Sequence, residues 1–119
     1  MKSLNNFIAG SSVASDSGTT TEIINPSTGA AYVTAQLSNQ VDVDTALNAA
    51  AKAFTEWRET TPSERQRALL KIADAFESRA DELVAIESLN TGKPTGLTTS
   101  EEVPPMVDQI RFFAGRRAI

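Results

Sequence analysis

The apolar pattern of this chain changes period once, at Asn39, and that change fixes the class of fold available to it. Before Asn39, short β-branched or apolar runs alternate with turn residues. After it, apolar residues return every three or four positions. Phe7-Ile8-Ala9-Gly10-Ser11-Ser12-Val13 reads as a short hairpin with Gly10 at its turn, and Asp16-Ser17-Gly18 as a second turn. Thr20-Thr21-Glu22-Ile23-Ile24 is a strand closed by Asn25-Pro26-Ser27-Thr28-Gly29, where Pro26 fixes φ, biases Asn25 towards extended geometry and leaves Gly29 free to take positive φ. Tyr32 to Leu37 is the returning strand. Residues 1–37 are thus expected as strands and turns, and so small a β unit needs something to pack against.

From residue 39 the chain reads as helices. Val43, Leu47, Ala50, Phe54 and Trp57 form one apolar stripe, with Asn39 as N-cap and Asp42 three residues on. Thr61-Pro62-Ser63-Glu64 is a capping box with proline at the first helical position. The stripe Leu69, Ile72, Ala73, Phe76 follows, then Leu83, Ile86, Leu89, either as one rod or as two pieces broken near Arg79. Gly92 and Pro94 end that stretch, and residues 95–100 read as a small polar loop. The last helix carries Val107, Ile110, Phe113 and Ala114 on one face. Pro104 and Pro105 remove the donors that the carbonyls of Ser100 and Glu101 would use, so the helix either starts at Pro104 or has an irregular first turn. The chain runs to Arg116-Arg117-Ala118-Ile119 without a stop signal. Its stripes, with Phe54, Trp57, Phe76, Phe112 and Phe113, exceed what one small hairpin can cover, and the expectation is a portion of a larger fold.

Composition narrows the chemistry. None of the 119 residues is cysteine or histidine, which removes thiol nucleophiles, thiolate metal sites and the usual base near neutral pH. The formal charge of −4 is dispersed, unlike the clustered basic face of a nucleic-acid binder. No apolar run approaches the roughly 18 residues of a membrane span, and no signal peptide is visible, so a cytoplasmic domain is expected. No glycine-rich phosphate cradle occurs. Glu101 and Glu102 suit a helix N-terminus electrostatically or, alternatively, could anchor a cationic ligand. Asn90-Thr91-Gly92-Lys93-Pro94 is a helix terminator or a ligand loop. Arg65, Arg67 and Lys71 lie among acids as a solvated face.

The order of segments resembles the start of the NAD(P)-dependent aldehyde dehydrogenase superfamily. The matching pieces are Asn6-Phe7-Ile8-Ala9-Gly10, Ile24 to Gly29, Val41 to Trp57, Thr61 to Arg65, Arg79 to Leu83, Glu87 to Pro94 and Arg111-Phe112-Phe113-Ala114-Gly115. Glu102-Val103-Pro104-Pro105-Met106-Val107-Asp108 most resembles the aminobutyraldehyde dehydrogenases, relatives of the betaine aldehyde enzymes. The resemblance implies an α/β fold of which residues 1–119 are an N-terminal portion: strands and hairpins over 1–37, then three to four packed helices over 39–119 flanking the nucleotide-binding domain. It implies oxidation of a small aldehyde, an ω-aminoaldehyde such as 4-aminobutanal, to the acid, with NAD as hydride acceptor. In that chemistry a cysteine thiolate attacks the aldehyde and a glutamate activates water. Both lie in a part of the family sequence that this chain does not contain, so the chain alone is expected to be inactive.

Two roles follow by position. The resemblance places Glu101, Glu102, Pro105, Met106 and Gln109 at the wall or mouth of the aldehyde tunnel, with Glu102 facing a protonated amine. It also implies a monovalent cation held by backbone carbonyls at Ile23, Ile24 and Asn90, where relatives often carry aspartate at the last position and Asn90 removes a charge. The implied partners are the aldehyde, the remainder of the dehydrogenase chain and further copies of the enzyme as a dimer or tetramer, with neither nucleic acid nor membrane. The competing readings are a free-standing helical interaction module and a non-catalytic scaffold derived from the same fold.

Overall fold

A computed structural model describes residues 3–116 and separates the chain into two units, a first ending at Glu59 and a second beginning at Thr60. Arg117, Ala118 and Ile119, where the sequence offered no stop signal, lie outside the described residues.

In the first unit, β1 (Ser3–Leu4), β2 (Asn6–Ile8), β3 (Ser11–Val13), β4 (Thr20–Asn25) and β5 (Ala30–Gln36) precede α1 (Gln40–Trp57). The sheet order is β1-β5-β4, with β1 parallel and β4 antiparallel to β5, while β2 and β3 form a separate hairpin. The hairpin turns on Ala9 and Gly10, both at positive φ (52° and 80°), one residue earlier than a Gly-Ser turn would. Two positive-φ residues give the turn the twist that the strands need, and Gly10 takes its share without steric cost. Between β4 and β5 the register shifts after Ile23, opposite Val33, to Ile24, opposite Ala31, which leaves Tyr32 as a bulge residue.

Asp42 ties these pieces together. It is 7% exposed, and its carboxylate accepts from the Ser15 hydroxyl (2.6 Å), the Asp16 amide (2.9 Å) and the Asn39 amide (2.9 Å). Asn39 returns the bond by accepting from the Asp42 amide, completing the capping box at the head of α1. The turn at Ser15–Gly18 is thereby fastened to the first turn of the helix. The apolar stripe of α1 is left largely open: Leu47 is 63%, Phe54 58% and Trp57 45% exposed.

The second unit holds α2 (Pro62–Ser78), α3 (Ala80–Thr91), α4 (Thr95–Leu97), a π-helical turn (Thr98–Glu102) and α5 (Val103–Gly115). Arg79, at φ −116°, ψ 22°, breaks the run into two helices, as one of the two open patterns required. The capping box at Thr61 forms, with the Thr61 amide donating to Glu64 over 2.7 Å and Pro62 as the first helical residue. Gly92, at φ 74°, closes α3 with its amide on the Ser88 carbonyl. Residues 95–100, expected as a loop, are helical instead. The hydroxyls of Thr98, Thr99 and Ser100 each donate to the carbonyl four residues back, and the Val103 amide reaches back five residues to Thr98. The core is Ala73, Val84, Val103 and Val107, backed by Phe76, Ala80, Met106 and Ile110. Arg111 on α5 adds ion pairs to Asp74 (3.0 Å) and Glu77 of α2.

Ala73 has no exposed surface, so Ala73→Leu forces added volume into the α2–α5 contact. The expected loss is about 1–3 kcal/mol, read as a lower urea midpoint. Asp42 gives a pH test. Hydrogen bonds from the Ser15 hydroxyl first, then the Asp16 and Asn39 amides, hold its carboxyl below the usual aspartate range. The stabilisation is therefore complete above the unfolded pKa of about 4 and disappears as pH falls through the lower folded value. Melting followed by fluorescence of Trp57, the single tryptophan, should show Asp42→Asn less stable at pH 7, with the gap from the parent chain narrowing below about pH 4.

Candidate functional site

The head of α5 is where most of the chemistry-bearing residues collect. Three consecutive hydroxylated residues and two carboxylates enter the helix through the π-helical turn, and Pro104 and Pro105 occupy its first turn. Turns of this kind are rare and occur often at functional sites. Here the cause is local, since the two prolines withdraw amides that an unbroken α-helix would need.

The five expected tunnel residues divide into two sets. Glu101, Pro105 and Gln109, spaced four apart on the helix, are exposed. Glu102 and Met106 are half-buried and line a pocket of about 340 Å³ with Phe76, Leu83, Ile86 and Val103. Glu87 and Thr98 complete that lining.

Lys93, read from the sequence as part of a helix terminator, is an ionic bridge. Its ammonium stands 2.8 Å from a Glu102 carboxylate oxygen and 3.2 Å from one of Glu87. The Glu102 carboxylate, and after it that of Glu87, holds the Lys93 ammonium above the ordinary lysine range, so it stays charged across neutral pH. Glu102 thus already has a cationic partner within the second unit. Glu101 beside it is exposed and takes part in none of the ion pairs among the described residues. Local pattern could not reveal this bridge, because Lys93 lies six residues from Glu87 and nine from Glu102. Only the return of the chain from α3 through α4 brings the three together.

Ile23 and Ile24 lie in β4 at the bulge, within the first unit, and Asn90 lies in the last turn of α3, within the second. Among the described residues no three acidic, histidine or cysteine side chains gather to hold a metal ion. The sequence has no Gly-x-Gly-x-x-Gly turn, and Gly10, Gly18 and Gly29 take positive φ in the links between strands.

The aldehyde dehydrogenase family profile matches residues 12–118. Acetaldehyde dehydrogenase 2 of Cupriavidus necator is 39% identical over 110 residues, and the long-chain-aldehyde dehydrogenase of an Acinetobacter species 37% over 110 residues. Each of these matches covers 92% of this chain and 22% of the relative, so the chain spans about a fifth of their length. An aldehyde dehydrogenase of Bacillus cereus, solved in complex with NAD+, is 32% identical and superposes with a TM-score of 0.91 over 96% of this chain and 24% of its own. A family match over nearly the whole sequence, with the same backbone in a solved relative, means that the chain belongs to the aldehyde dehydrogenase family.

Proposed function

We propose that this chain is the N-terminal part of a cytoplasmic, homo-oligomeric enzyme that oxidises a small ω-aminoaldehyde, such as 4-aminobutanal, to the carboxylic acid with NAD. Family membership supports aldehyde oxidation, and the solved NAD+ complex of a relative supports the cofactor. One observation carries the amine: Glu101 presents an exposed carboxylate at the head of α5, next to Pro105 and Gln109 on the same face. A carboxylate there favours the ammonium end of an aminoaldehyde over an uncharged end, and does so more strongly where water is excluded. Glu102, being paired with Lys93, contributes less to that preference than its neighbour. Met106 and Pro105 supply apolar wall.

The chain's own share of the reaction is to bind and orient. It carries no cysteine, so the thiolate that attacks the aldehyde comes from another part of the enzyme, and this segment alone is inactive. The dinucleotide is likewise held by residues outside the chain. The open stripe of α1, with Leu47, Phe54 and Trp57 exposed, supports the reading that further dehydrogenase chain packs against it. The family resemblance supports a monovalent cation held by backbone carbonyls of the enzyme.

In the full-length enzyme, Glu101→Gln should raise KM for an aminoaldehyde roughly 3- to 10-fold more than for a neutral aldehyde of equal length. Equal effects on the two substrates would remove the anchor. Depleting the enzyme of potassium and sodium should lower its melting temperature, and restoring either ion should recover it. Melting that ignores both ions would remove the cation.

A further inference from the structure

We infer that Lys93 tunes the selectivity of the enzyme between cationic and neutral aldehydes by masking the carboxylates of Glu87 and Glu102 at the pocket beside α5. The inference rests on the reading above that the head of α5 borders the path of the aldehyde.

Three charges meet at the rim of that pocket. Glu87 comes from α3, Glu102 from the π-helical turn, and Lys93 from the link between α3 and α4, with its ammonium within 3.2 Å of both acids. Both glutamates belong to the pocket lining, whose other residues are apolar except for Thr98. One cation shared between two anions leaves the cluster with a single net negative charge. Without the cation the same small volume would hold two unpaired carboxylates beside Phe76, Leu83, Ile86 and Met106. The lysine side chain is 31% exposed and those of Glu87 and Glu102 39% and 42%, so the cluster is partly screened yet still next to a low-dielectric wall.

The geometry also gives Lys93 a positioning role. Glu102 is the last residue of the π-helical turn, and Glu101, Pro105 and Gln109 are placed by that turn. Anchoring Glu102 to α3 through Lys93 fixes the start of α5 where the two prolines have removed backbone hydrogen bonds. A positioning role alone would affect all aldehydes alike, whereas charge masking affects them according to their charge. Selectivity separates the two.

The test uses the full-length enzyme and the ratio of kcat/KM for 4-aminobutanal to that for a neutral aldehyde of equal length. Lys93→Gln should raise the ratio roughly 3- to 10-fold, and Lys93→Arg, which keeps the cation, should leave it within about 2-fold of the parent. Glu102→Gln alone takes the cluster from one net negative charge to none and should lower the ratio roughly 2- to 3-fold, less than Glu101→Gln does. The double variant Lys93→Gln/Glu102→Gln should give back most of the rise. A ratio unmoved by Lys93→Gln, or a fall of both substrates in parallel, would overturn the masking. Should Lys93→Gln fail to fold, Glu102→Gln decides: an unmoved ratio, or a loss of selectivity as large as that of Glu101→Gln, overturns the proposal, and the smaller selective fall upholds it. The amine anchor at Glu101 fails separately, if Glu101→Gln leaves the ratio where it was.

Discussion

Pro104 and Pro105 bring no amide hydrogen to the head of α5, and the second unit is arranged around that gap. Ser100 and Glu101 lose the donors that a regular helix would supply four residues on. The chain answers by widening: the Val103 amide bonds five residues back to Thr98, and three neighbouring hydroxyls cover carbonyls of the preceding turn. The widened turn places an exposed carboxylate, Glu101, directly before a half-buried one, Glu102. From that point the regular part of α5 buries Val103, Val107 and Ala114 on one face, with half-buried Ile110 between the last two, and Ala73 of α2 sits against the first two. Side-chain ion pairs then hold the helix at both ends, Lys93 at its head and Arg111 towards its tail.

Local chemistry was readable from the sequence wherever the determinant was itself local. The capping boxes at Asn39 and Thr61, the glycine ending α3 and the turn Asn25–Gly29 that joins β4 to β5 each depend on residues within five positions of one another. Three features were not readable. The segment 95–100 is polar and small, which resembles a loop, but its hydroxyls can satisfy helix carbonyls and so it coils. Strand β1 is two residues long and pairs with residues 31 positions away, which leaves no periodicity to detect. The Lys93 bridge joins two helices and is invisible until they are packed. At the site, pattern and resemblance drew attention to Glu102, whereas the fold gives that acid a cation and leaves Glu101 outward.

The apolar stripes show where periodicity and burial part company. Spacing identified which residues of α2 and α5 face inward well enough to include Ala73, Phe76, Val107, Ile110 and Ala114. It could not say whether an inward face has anything to meet. Phe112 and Phe113 pack edge to face, with centroids 5.3 Å apart, yet stay 63% and 55% exposed. The stripe of α1 is similarly regular and similarly open. A helical pattern records the surface a segment was selected to cover, and among the described residues that surface is only partly present.

The parallel pairing of β1 with β5 sets an order of assembly. Strands β4 and β5 are joined by a short turn and can zip as soon as both exist. Ser3 and Leu4, by contrast, must close a loop of about 30 residues to reach Thr34 and Ala35. On a ribosome β1 emerges before β4 and β5, and it cannot be seated against β5 until that strand has emerged to receive it. Until then that side of β5 is an unsealed edge, and a second nascent chain offering the same two residues would fit it equally well.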